Sequence, residues 1–263
     1  MTHLGDLWVS RLGMGCATFS PGYGVRPAPS NVFKLMQRAY DGGIRFFDTS
    51  LSYAYHNAVD NFCIGREIPW ATKVEYPYRD RAPVSTCSLI QAHNFSRQHH
   101  EDWHRYAVSQ GRRMFGATIY DDESYHAALE CPLMSTVQVP FSLVDRRFSP
   151  SACQLIARSV LLQGVLTKFG RTHKNDRLRS VAEFVRESLG VTWEELPIVA
   201  IRFALSFNFR VVLVGMSCDE DVEVALEAWD RGPLDSETLE HISRLPLSQP
   251  KDIVDPRRWR WTT

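Results

Sequence analysis

Short apolar runs alternate along the chain with longer stretches in which apolar residues recur every three or four positions. This is the pattern of buried parallel strands separated by amphipathic helices. Strand-like runs fall at Leu7 to Thr18, Ile44 to Phe47, Trp70 to Val74, Cys87 to Ala92, Arg113 to Tyr120, Thr136 to Val139, Leu155 to Arg158 and Arg210 to Gly215. Helical spacing fills most of the intervals. Val32, Leu35, Met36 and Ala39 follow an N-cap at Ser30 and precede a Gly42-Gly43 stop. Further helices are predicted over Val59 to Ile68, Trp103 to Gly111, Asp121 to Leu129, Val181 to Leu189, Trp193 to Phe207, Asp219 to Trp229 and Ser236 to Leu245. Two intervals, after Lys73 and after Arg147, are too short for a normal helix, which predicts a thinner wall there. Lys168 to Arg179 is basic and aperiodic, and reads as a solvated surface segment or a cover over a bound ligand.

Size adds that 263 residues with 44% hydrophobic content suffice for one α/β domain over 1–263, with no composition break to mark a second. Thirty basic and thirty acidic residues give zero formal net charge, so neither nucleic acid nor an anionic membrane surface is an expected partner. The Trp-Arg alternation in Arg257 to Trp261 is too short a patch to change that; the tail folds over the fold's surface or stays exposed. The six cysteines are scattered and lie mostly in apolar runs, as reduced thiols of a cytoplasmic protein would. The first residues show neither a signal peptide nor a membrane anchor. His99, His100 and His104 lack convincing ligand partners and read as a solvated helix start, so no metal is expected.

Chemistry concentrates on Arg45 to Tyr53, where a buried strand delivers Asp48 and then Tyr53 to its exit loop. Alone, an Asp-Thr-Ser reads first as a cap for the following turn; its context in this segment reverses that. Lys73 stands among apolar neighbours on the third strand, and His93 follows the fourth. The segment Ala39 to Ser50 with Tyr53, the Ala71-Thr72-Lys73-Val74 strand, Gln138-Val139-Pro140-Phe141 and Leu155 to Gly164 closely resemble the aldo-keto reductases over nearly the whole chain.

That resemblance implies a (β/α)8 TIM barrel and a tetrad of Asp48, Tyr53, Lys73 and His93 acting on a small carbonyl compound or its alcohol, with NADP or NAD as cofactor. In such a tetrad Tyr53 is the proton donor, Lys73 (held by Asp48) favours its ionised form, and His93 orients the substrate oxygen. The resemblance further implies cofactor contacts from Thr118 and Gln138 to the carboxamide, Phe141 to the ring face, Ser159, Leu161 and Gly164 to the pyrophosphate, and Gly215, Ser217 and Asp221 at the adenosine end. Thr118-Ile119 stands where relatives carry a polar pair, and Asp219-Glu220-Asp221 where NADP-dependent relatives carry a cation, which argues against a strong 2′-phosphate site. Arg146-Arg147 is either a phosphate contact or a structural ion pair. These departures leave a second reading open, an aldo-keto-reductase-like barrel with a lyase, isomerase or binding role. The thinner wall implies a second copy covering it in a homo-oligomer, or an open flank.

Overall fold

Gly5, in the left-handed region at φ 56°, turns the chain back after three residues, so that Thr2–Leu4 (β1) pairs antiparallel with Leu7–Val9 (β2). The sequence pattern predicts a single strand over Leu7 to Thr18. It is broken at Ser10, whose hydroxyl donates to the Leu12 carbonyl at 2.5 Å and accepts from the Arg45 amide at 2.7 Å. Only Leu12–Gly15 (β3) enters the main sheet. The computed structural model describes residues 1–20, 27–78, 87–111, 113–148 and 154–259.

The remaining strands are Phe47–Asp48 (β4), Trp70–Val74 (β5), Leu89–Ala92 (β6), Met114–Thr118 (β7), Met134–Pro140 (β8), Gln154–Arg158 (β9) and Val211–Gly215 (β10). They close into a parallel barrel in the order β10-β3-β4-β5-β6-β7-β8-β9, the expected (β/α)8 architecture. Around it lie Pro29–Asp41 (α1), His56–Ile64 (α2), His100–Ser109 (α3), Asp122–Leu129 (α4), Asp176–Leu189 (α5), Glu195–Leu205 (α6) and Asp219–Asp230 (α7), followed by Ser236–Arg244 (α8) and Lys251–Val254 (α9). Helix α1 starts at Pro29 with Ala28 as its N-cap, so Ser30 lies inside the first turn, where proline's fixed φ suits the helix start. Residues 75–78 and 141–148 form no helix; the rest of both shortened connections, 79–86 and 149–153, lies outside the described residues. No described helix is long and apolar enough to cross a membrane.

The barrel interior has two levels. At the N-terminal ends of the strands, Leu4 and Val9 of the hairpin close over Phe46, Ala71, Leu89, Ile156, Val211 and Leu213, an apolar plug. Because strand side chains alternate, the next inward positions lie two residues on, and there Phe46 gives way to Asp48, Ala71 to Lys73, Leu89 to Gln91 and Ile156 to Arg158. Burying each large apolar side chain contributes roughly 1.5–3 kcal/mol. That apolar base is what lets charged groups be held in the level above.

Candidate active site

Asp48 ends β4, paired with Gly15 on one side and Ala71 on the other, and is only 4% exposed. Its two oxygens have separate partners. Lys73 Nζ, 2% exposed on β5, bonds Oδ2, and Gln138 Nε2 from β8 donates to Oδ1 at 3.0 Å. Lys73 Nζ also donates to the Thr49 carbonyl at 3.1 Å. The loop after β4 is laced to β5, with Thr49 N donating to Ala71 O at 2.8 Å and Leu51 N to Lys73 O at 3.1 Å. This lacing carries Tyr53 over the lysine, whose Nζ is 5.4 Å from the ring centroid. His93 follows β6 and meets Tyr53 edge to face, with centroids 5.9 Å apart at 84°. The four tetrad residues read from the sequence therefore meet at one strand-exit rim.

His93 Nδ1 lies 3.2 Å from Glu75 Oε1, a residue that directly follows the lysine strand and is not among the candidates its sequence context suggests. Burial first, and then the Lys73 ammonium, push the His93 pKa down from 6.5 to about 4, against the opposing pull of Glu75. The imidazole is neutral near pH 7.

The residues expected to hold a cofactor divide. Gln138 spends its amide nitrogen on Asp48, and its Oε1 accepts from no described group. The β9 exit turns through left-handed residues at Ser159, Leu162, Gln163 and Gly164, the sort of backbone that gathers N–H groups into anion-binding concavities. Leu161 braces that turn, its carbonyl accepting from Gly164 N at 3.0 Å and Leu166 N at 3.1 Å. Thr118 Oγ1 is engaged by the Asn94 amide at 3.0 Å and donates to the Ala92 carbonyl at 3.4 Å. Phe141 departs from expectation. It is 2% exposed, stacked on Phe203 at 5.6 Å and flanked by Phe207 and Phe209, so its faces are taken by the core and not offered at the rim. Ser217 and Asp221 satisfy one another: the Ser217 amide and hydroxyl both donate to Asp221 Oδ2 at 2.7 Å, closing the N-terminus of α7. Gly215 is needed for close packing, since a Cβ there would lie 2.5 Å from Thr18 Cγ2.

The acidic run is not bare. Asp219 pairs with Arg38 at 3.2 Å and Glu220 accepts two 2.6 Å bonds from Lys168. Lys168 begins a 3-10 turn over Lys168–Thr172, so the basic segment is tied to α7 at this point. Arg147 forks onto Asp145 with two 2.8 Å bonds, the structural ion pair; Arg146 donates to the Leu143 carbonyl. The tail lies on the fold, with Arg257 over the Tyr120 ring and Trp259 buried, while Arg260 and Trp261 lie outside the described residues. No His, Cys, Asp and Glu group suited to a metal occurs among the described residues.

No protein-family model matches the sequence, and no curated protein matches it. Solved structures do. The holo form of aldo-keto reductase AKR11C1 from Bacillus halodurans superposes with a TM-score of 0.70 at 20% identity, covering 97% of both chains. The glycerol dehydrogenase AKR11B4 from Gluconobacter oxydans gives 0.66 at 17% identity over 92% of this chain and 93% of that one. An aldo/keto reductase from Klebsiella pneumoniae, solved with NADP and acetate, gives 0.62 at 16% identity over the same shares. The fold is that of the aldo-keto reductases. Within this barrel, strand parity could have drawn attention to one more residue, Arg158, which lies two positions beyond inward-facing Ile156 and so faces the rim.

Proposed function

We propose that the chain is a nicotinamide-nucleotide-dependent oxidoreductase that interconverts an aldehyde, ketone or sugar carbonyl and the corresponding alcohol. The observation that carries this reading is the meeting of Tyr53 with Lys73, Asp48 and His93 at one rim, with Lys73 Nζ 5.4 Å from the tyrosine ring. When bound, the nucleotide supplies the hydride for the carbonyl carbon or takes it back from the alcohol. Tyr53 gives its proton to the carbonyl oxygen as charge develops there, and recovers it in the reverse direction. Lys73 stabilises the phenolate left behind, and Asp48 holds that ammonium in place. His93, neutral near pH 7, orients the substrate oxygen through a ring nitrogen.

On this reading Gln138 Oε1 meets the carboxamide, and the Ser159 to Gly164 turn meets the pyrophosphate. The N-terminus of α7, with Arg38 and Lys168 beside it, receives the adenosine end. A non-redox role in the same site is the second reading, favoured by the inward commitments of Thr118, Ser217, Asp221 and Phe141.

Titration of the purified protein with NADPH and, separately, NADH, followed by tryptophan fluorescence and calorimetry, tests the reading before any substrate is known. Binding of either form is expected, with nucleotide consumption across a carbonyl panel. Tyr53→Phe should then bind nucleotide normally while kcat falls by about 10²–10⁴. A folded protein that binds neither form, reduced or oxidised, sinks the redox reading in favour of the second.

A further inference from the structure

Arg158 closes β9 on the inner side of the barrel, at the same rim as the tetrad. Its guanidinium reaches across to the β7 exit: Nη2 donates to the Ile119 carbonyl at 2.8 Å, Nη1 to Ser159 Oγ at 3.1 Å, and Cζ lies 4.0 Å from the Tyr120 ring centroid. Ile119 follows Thr118, whose hydroxyl accepts from the amide of Asn94, the residue after His93. Phe95 N also donates to the Thr118 carbonyl at 3.0 Å, so two hydrogen bonds join the loop that carries His93 to the loop against which Arg158 lies. The Arg158 charge is among those that lower the His93 pKa, as proximity requires.

The neighbouring arginines are already matched. Arg147 is forked on Asp145, and Arg257, which also lies over Tyr120, is forked on Asp255 at 2.9 and 2.7 Å. Arg158 has no carboxylate partner among the described residues, and its bonds to Ile119 and Ser159 leave the rest of its five N–H donors unspent. It is half-buried, stacked on an aromatic ring and fixed by a backbone carbonyl. A guanidinium so pre-ordered suits the two oxygens of a carboxylate, and little further ordering is needed to bind one.

We propose that Arg158 anchors a carboxylate of the substrate, so that the compound handled at Tyr53 is a carbonyl acid and its hydroxy acid. This rests on the function proposed above. The reacting bond changes as described there, with hydride to the carbonyl carbon and a proton from Tyr53 to its oxygen, while the carboxylate remains intact and paired. Glu75, bonded to His93 at 3.2 Å, repels the same carboxylate and so favours its pairing at Arg158.

The test compares glyoxylate, succinic semialdehyde and 4-formylbenzoate, each against its methyl ester, with the wild-type protein, Arg158→Gln and Arg158→Lys. At least one acid is expected to exceed its ester in kcat/KM by about ten- to a hundredfold, the worth of a charge-assisted hydrogen-bonded pair. Arg158→Gln should erase that preference through KM, leaving the ester and nucleotide binding unchanged; Arg158→Lys, which keeps the charge but loses the fork, should retain part of it. Esters matching acids in every pair overturn the proposal. So does an equal loss on acid and ester in Arg158→Gln, or weaker nucleotide binding, which would give Arg158 to the cofactor. If the wild type turns over nothing, the redox reading fails by itself, and calorimetry with benzoate decides the anchor: binding that Arg158→Gln abolishes upholds it, and none overturns it. Thermal melting of both variants verifies that they fold.

Discussion

Asp48 has two donors, one charged and one not, and removing them should have unequal effects. Lys73→Met leaves a carboxylate uncompensated in the barrel and should cost about 3–5 kcal/mol, read from urea unfolding. Gln138→Leu leaves Oδ1 unpaired beside an intact ion pair and should cost about 1–3 kcal/mol. On the proposed function it should also lower kcat, because Asp48 then loses one of its two fixed positions. His93 gives a pH signature. Its folded pKa of about 4 lies below the unfolded 6.5, so the unfolded chain takes up the proton first. The stability this group contributes is fully present above pH 6.5 and is lost as pH falls towards 4, by about 3 kcal/mol in all. Unfolding free energies measured from pH 4 to 7 should therefore slope less in His93→Asn than in the wild type. Of these residues, Asp48, Tyr53, Lys73 and His93 stood out in the sequence, because Asp48 ends an apolar run, Tyr53 lies on its exit loop, Lys73 interrupts the third run and His93 follows the fourth. Glu75 and the bond from Gln138 to Asp48 did not, because the first depends on the pairing of β5 with β6 and the second on β4 and β8 facing one another across the closed barrel.

Among elements, the strands were easiest to read, since a parallel sheet buried on both faces leaves continuous apolar runs. The N-terminal hairpin was missed. Its signal was present in Leu4-Gly5-Asp6-Leu7, a two-residue turn between apolar positions, but strands of three residues carry too little alternation to register. Helix ends shifted for physical reasons as well. Asp121 proved to be the N-cap of α4, accepting from Ser124 N at 2.9 Å, and α2 stops at Ile64, with Gly65 as its C-cap. The hairpin is a structural element with a measurable contribution. Leu4→Ala should cost about 2–5 kcal/mol, because the side chain is fully buried against the plug. Catalytic constants on any substrate should stay unchanged, since the plug lies at the opposite ends of the strands from Tyr53.

At the scale of the molecule, zero net charge conceals local pairing. Arg38 and Lys168 converge on the N-terminus of α7 and offset Asp219, Glu220 and Glu223, so the acidic run that argued against a 2′-phosphate is less repulsive than its letters suggested. Replacing both cations with alanine should raise the Kd for NADPH more than that for NADH, and the difference should shrink at high salt, where exposed charges are screened. The barrel as a whole was legible; the inward commitments of Phe141, Ser217 and Asp221 were not, because a motif names a residue without saying which of its neighbours will claim it first. The hairpin beneath the barrel bears finally on how the protein can be handled. Met1 is exposed at the end away from the rim. A bead, an electrode or a fusion partner coupled there would leave the mouth turned towards the bulk, with substrate access unobstructed by the support.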